Sequence, residues 1–221
     1  MNNRTLKGAI FDLDGTILDS SWVWEKIDRE FLGGRGIDVP EDYVENIAPL
    51  GFYGAAVYTI NRFGFEDKPE ELMKIWGEMA IREYKNNVYI KEGVAEYLDY
   101  LYTKGIPMGI ATASNEDLFI PCLEHNNIFK YFQTFTTVSE VGKSKESADV
   151  YIATARKLGI YPDECVVFED LPQGLISASN AGFYTVAIPD DFSKNGLKRF
   201  ELDVDCICDS FIGENIRKIF D

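Results

Sequence analysis

Asp12 and Asp14 stand two residues apart in Phe11-Asp12-Leu13-Asp14-Gly15-Thr16, directly behind the apolar run Leu6 to Ile10. In an extended chain residues i and i+2 share a face, so both carboxylates emerge side by side from the end of a buried strand while Leu13 turns away. Gly15 lets the chain break sharply after them. At about 4 Å and an effective dielectric near 20, two such anions repel by roughly 4 kcal/mol. A chain that builds this pair must supply a metal ion, a lysine or an electrophilic substrate. Read blandly, the same residues are a strand end and an Asp-Gly turn, so the rest of the chain decides.

The elements that would position the pair follow from the sequence pattern. After Thr16 the segments Trp22 to Leu32, Tyr43 to Ile47, Ala55 to Phe63 and Glu70 to Tyr84 read as helices, with turn signals at Gly33-Gly34, Val39-Pro40, Gly51 and Gly64. From Val88 the pattern alternates. Strands are predicted at Met108 to Ala111, Thr134 to Val138, Cys165 to Phe168, Tyr184 to Ile188 and, weakly, Asp205 to Cys208. Helices fall near Val94 to Lys104, Asp117 to His125, Asp149 to Leu158 and Gly174 to Asn180. Such alternation predicts an α/β fold: a doubly wound, Rossmann-like parallel sheet with an all-helical insertion after its first strand. Residues 1–16 and 88–221 would form the core and 17–87 a helical cap.

Ligands of such a sheet bind beyond the carboxyl ends of its strands. There the chain places Thr112 after one strand, Glu169-Asp170 after another, and Lys143 and Lys145 behind a third. With Asp12 and Asp14 this is a set of carboxylates, a hydroxyl and one or two ammonium groups, which matches a divalent hard cation together with a phosphate. Each residue also has a plainer reading. Thr112 competes with Ser114 and Asn115 for a helix N-cap, either lysine can be solvated, and Glu169-Asp170 can precede a helix begun by Leu171-Pro172.

FDLDGT, the run ATASN at 111–115, Lys145, and VVFED followed by QGLISASNAGF together resemble the four motifs of the haloacid dehalogenase superfamily. The likeness is to its β-phosphoglucomutase-like branch, with a helical cap after the first motif, and it covers the whole chain in order and spacing. It implies Asp12 as nucleophile, forming an aspartyl phosphate, and Asp14 as general acid and base. It implies Mg²⁺ held by the Asp12 carboxylate, the Asp14 main-chain carbonyl and Asp170, with Glu169 as ligand or orienting group. Thr112 and the Ala113 amide would hold phosphoryl oxygens while Lys145 offsets charge. One departure is visible: Lys145-Glu146-Ser147-Ala148-Asp149 stands where the family often has Lys-Pro-x-Pro-Asp.

The expected activity is hydrolysis of a small phosphate monoester, a phosphorylated metabolite such as a sugar phosphate. Mutases of this branch carry a histidine soon after the first motif and an arginine in the cap loop. Here Ser20 to Trp24 holds no histidine, and the expected cap turn Leu50 to Gly54 holds aromatics instead of a cation. β-Phosphoglucomutase activity is the alternative, and a non-enzymatic phosphoacceptor module of the receiver type a remote one. Trp22, Trp24 and Tyr53 read as packing, and Lys26, Arg29, Arg35 and Arg62 as solvated.

Composition narrows the partners. Twenty-two basic residues against 37 acidic ones give a formal charge of −15, which repels nucleic acid and anionic membranes. No apolar run approaches a membrane span or a leader, so a cytoplasmic protein is expected. The sequence leaves the oligomeric state open, with a monomer favoured. Cys122, Cys165, Cys206 and Cys208 lack paired spacing and read as reduced, buried thiols, and a single histidine, His125, leaves little material for Ser-His-Asp chemistry.

Overall fold

The computed structural model describes residues 5–190 and 204–221. Gly8 to Phe11, buried throughout, form the first strand, β1 (Gly8–Phe11). It lies at the centre of a six-stranded sheet with β2 (Met108–Thr112), β3 (Thr134–Thr137), β4 (Cys165–Glu169), β5 (Tyr184–Ala187) and β6 (Cys206–Ile207). The order is β3-β2-β1-β4-β5-β6 and all neighbours are parallel. Runs buried on both faces suit a parallel sheet covered by helices on either side.

Adjacent strand residues face opposite ways, and the two faces pack differently. Ile10, Ala111 and Val167 join Val150, Tyr151 and Ala155 of the helix Asp149–Leu158 and Ala178 of the helix Pro172–Asn180 in one apolar cluster. On the other face Phe11 stacks on Phe168 at 4.6 Å, with Tyr97 from the helix Val94–Thr103 and Phe211 against Phe168. That is the doubly wound arrangement the alternation predicts.

The chain divides into two compact units, Met1–Ser21 with Val88–Asp221, and Trp22–Asn87. Residues 17–21 lie with the sheet because Ile17 and Leu18 are fully buried and pair with the returning chain. Leu18 bridges Ile90 in antiparallel fashion, Asp19 N–H donates to the Tyr89 carbonyl at 2.9 Å, and Lys91 N–H to the Ile17 carbonyl at 2.9 Å. The unit Trp22–Asn87 is built from α1 (Val23–Gly33), α2 (Tyr43–Ile47), α3 (Gly51–Phe63) and α4 (Pro69–Asn86). In α4, Leu72, Trp76, Ala80 and Tyr84 recur at helical spacing and are buried, and Trp76 meets Phe31 of α1 edge-on at 5.4 Å.

Three local expectations need correction. Residues 51–54 form the first turn of α3 instead of a loop, since Gly51 at φ +66° takes the bend alone. β3 stops at Thr137 because its hydroxyl accepts from Glu140 N–H at 3.1 Å and caps a short helix, Val138–Val141. Cys206 is only half-buried, its sulfur 3.6 Å from that of Cys208.

Candidate active site

β1 delivers Asp12 to the carboxyl edge of the sheet, where its N–H donates to the Phe168 carbonyl of β4 at 3.0 Å. The turn that follows is drawn tight by one acceptor: the Leu13 carbonyl takes N–H donors from Thr16, Ile17 and Leu18 at 3.2, 3.0 and 2.8 Å. Gly15 sits at φ +81°, and a Cβ there would lie 2.7 Å from an Asp170 oxygen. Only glycine brings this turn so close to β4.

Glu169, the last residue of β4, and Asp170 directly behind it complete an acidic cluster. Asp12, Glu169 and Asp170, all buried, present carboxylate oxygens within 4.8 Å of one another. Thr16 bridges two of them, its hydroxyl 3.2 Å from Asp170 Oδ1 and 3.4 Å from Asp12 Oδ2. Lys145, 8% exposed, donates to Asp12 Oδ1 and to Glu169 Oε2, the latter at 2.7 Å. Its backbone is pinned by the Ser177 hydroxyl, which donates to the Lys145 carbonyl at 2.7 Å. Lys143, exposed, instead pairs with Asp149 at 3.0 Å. Of the two lysines, it is Lys145, the one the resemblance implies, that reaches the acidic cluster.

Glu169 has its remaining positions taken. Tyr151 donates to Oε2 at 3.0 Å and Leu171 N–H to Oε1 at 3.2 Å. Asp14 lies apart from the cluster, its carboxylate accepting from Ser20 Oγ at 2.7 Å and from Ser114 Oγ. Thr112 ends β2 fully buried, its hydroxyl accepting from Ser114 N–H at 3.0 Å, while Ala113 is exposed. Ser20, Ser114, Thr16 and Tyr151 were not singled out from sequence. A serine or tyrosine inside a helix-like or loop-like run carries no mark of its partner.

The electrostatics follow from crowding. Burial first, and Glu169 second, push the Asp12 carboxyl well above its ordinary value. The same two causes push Asp170 up to about 7 against the opposing pull of Lys145 and Thr16. Burial alone would lower the Lys145 ammonium, but Asp12 and Glu169 outweigh it and hold it above its usual range. Hard oxygen donors that repel one another this strongly fit a hard cation such as Mg²⁺.

Residues 9–188 match the model of the haloacid dehalogenase-like hydrolases. The chain belongs to this family. Among curated relatives of this haloacid dehalogenase-like hydrolase is the fructose-1-phosphate phosphatase YqaB of Escherichia coli, 28% identical over 82% of this chain and 95% of its own length. Another is the probable pseudouridine-5'-phosphatase of Drosophila melanogaster, 26% identical over 85% and 83% of the two chains. The enzyme class is that of the haloacid dehalogenase-type phosphatases. The fold is also that of a β-phosphoglucomutase from Clostridium difficile, with a TM-score of 0.72 at 19% identity and 97% of both chains covered. Among the described residues no helix is long and apolar enough to cross a membrane.

Proposed function

We propose that this hydrolase is a Mg²⁺-dependent phosphatase acting on a small phosphate monoester, such as a sugar phosphate, through an aspartyl phosphate on Asp12. One observation carries the reading: three buried carboxylates cluster, with Lys145 paired to two of them. With all three ionised, as a bound cation would hold them, the one lysine leaves two negative charges uncompensated, matching one divalent ion.

In this reading Asp12, Asp170 and the Asp14 carbonyl would hold Mg²⁺, with Glu169 beside them, and the bound ion would supply the positive charge that lets a phosphate dianion approach. Lys145 holds Asp12 in place and offsets its charge. The Asp12 carboxylate attacks phosphorus as the bond to the leaving oxygen breaks, and Asp14 gives that oxygen a proton. Asp14 then takes a proton from the water that cleaves the aspartyl phosphate. Ser20 and Ser114 support this division of labour by holding the Asp14 carboxyl away from the cluster. Thr112 and the Ala113 amide serve the phosphoryl oxygens.

Hydrolysis is favoured over phosphoryl shuttling by the state of the cations in the helical unit. Lys26 pairs with Glu83, Arg29 with Glu25, Arg35 with Asp67 and Arg62 with Asp42, so these four cations, partly solvated as expected, each have an anionic partner within that unit. A bisphosphate intermediate needs strong charge-assisted contacts at both ends. Phosphate release from a monoester panel, with and without Mg²⁺, tests the reading beside glucose 6-phosphate formation from β-glucose 1-phosphate with its bisphosphate activator. Mg²⁺-dependent release supports it, whereas mutase turnover above every hydrolytic rate overturns it.

A further inference from the structure

A lysine and an aspartate outside the four motifs meet at the catalytic turn. Lys91 Nζ donates to the Gly15 carbonyl and pairs with Asp190 Oδ2 at 2.8 Å. The pair is largely withdrawn from solvent, the two side chains 21% and 8% exposed. Lys91 arrives on the returning chain that pairs with residues 17–19, and Asp190 follows β5. Three separate elements are thus tied at one ammonium group.

The position of the Gly15 carbonyl matters chemically. The Gly15 N–H is committed to the Leu18 carbonyl at 3.1 Å and the Gly15 α-carbon abuts Asp170, so Lys91 supplies the remaining restraint on this glycine. A glycine at φ +81° has no side chain to hold it and the widest choice of alternative conformations. If it turns, the Asp14 carbonyl one bond earlier turns with it. We propose that Lys91 is a positioning residue: its ammonium, by its bond to the Gly15 carbonyl, fixes the Asp14-Gly15-Thr16 turn in the conformation that aims the Asp14 carbonyl and the Asp12 carboxylate at their common ion. This rests on the phosphatase reading above.

Charge and position are separable here. In the double variant K91M/D190N one positive and one negative charge leave together, so the net charge of the site is unchanged. Relative to wild type, its melting temperature should stay within a few degrees, with amide exchange of the segment 11–18 at least about tenfold faster in metal-free protein. Calorimetric Mg²⁺ affinity should be weaker by about fivefold or more, and kcat lower by about tenfold with KM within about twofold. Asp190→Asn alone leaves the ammonium on Gly15 and should hold kcat within about threefold, and Lys91→Arg should recover part of the loss. Wild-type exchange and Mg²⁺ affinity in a folded double variant would overturn the inference, and so would a loss in Asp190→Asn as large as in the double. Exchange and calorimetry need no substrate, so they read this inference even if wild type itself fails to hydrolyse phosphate esters, which would sink the phosphatase reading instead.

Discussion

Tyr151 donates to Glu169 Oε2 at 3.0 Å, the same oxygen that accepts from Lys145 at 2.7 Å. The lysine also lies 5.8 Å from the centre of the Tyr151 ring, so one side chain steadies both members of the ion pair that faces Asp12. Tyr151→Phe keeps the ring and deletes only the hydrogen bond, worth about 1.5–3 kcal/mol to a charged acceptor. We expect kcat to fall roughly five- to twentyfold with little change in KM. Steady-state kinetics decide it, and an unchanged kcat would mean that Lys145 and Leu171 hold Glu169 unaided.

Asp12→Asn should abolish turnover, by about a thousandfold or more, because an amide is nearly isosteric but a very poor nucleophile. Folding should not suffer. The native carboxyl is raised above its ordinary value, so at neutral pH its ionisation opposes folding in the metal-free protein. An equal or higher melting temperature is expected, and activity within tenfold of wild type would rule Asp12 out as nucleophile.

Excess chelator should stop hydrolysis, and Mg²⁺ should raise the melting temperature of the resting protein. An ion at about a hundred times its Kd stabilises the native state by about 2.7 kcal/mol. Calcium should raise the melting temperature as well yet support little turnover, because its larger and looser oxygen shell relaxes the in-line geometry. Thermal denaturation in the two metals beside phosphate release tests this, and full turnover in chelator would mean that the acidic cluster is no metal site.

Asp28 of α1 is 8% exposed, and burial first, with Glu25 second, pushes its carboxyl from 3.8 up to about 6. Its proton is therefore bound more tightly in the folded state. The associated stability is present in full below about pH 4 and is lost as pH rises through about 6. Asp28→Asn carries no charge and should be more stable than wild type at pH 8 by on the order of 1–2 kcal/mol, allowing for partial screening by solvent. At pH 4 the two should match. Urea titrations at both pH values measure the difference, and a variant less stable at pH 8 would contradict it.

The sheet was legible because β1, β2 and β4 are short apolar runs ending in polar residues, a pattern that suits a buried parallel strand. Residues 51–54 were not, since Gly51 signals a turn while nothing local says that the helix resumes in the same step. Within the site, residues at strand ends announce themselves by position. Lys145 was favoured over Lys143 only by the resemblance, because both follow β3 and spacing alone does not say which reaches Asp12. Lys91 and Asp190 were invisible for the same reason: their meeting at Gly15 joins chain segments that no spacing rule connects.

The antiparallel pairing of residues 17–19 with 89–91 brings the two ends of the helical unit to within one hydrogen bond of each other. To the sheet, everything between Ser21 and Val88 is therefore a single long loop with a fixed, narrow mouth. Closing such a loop costs only about 0.6 kcal/mol more for each doubling of its length. A gene encoding this core can exchange the insert for one of another size while the strand order and the carboxylate cluster stay as they are. The chain path thus leaves room for diversification by insertion, and the paired segments at the mouth, which belong to the core, are what such an exchange must keep.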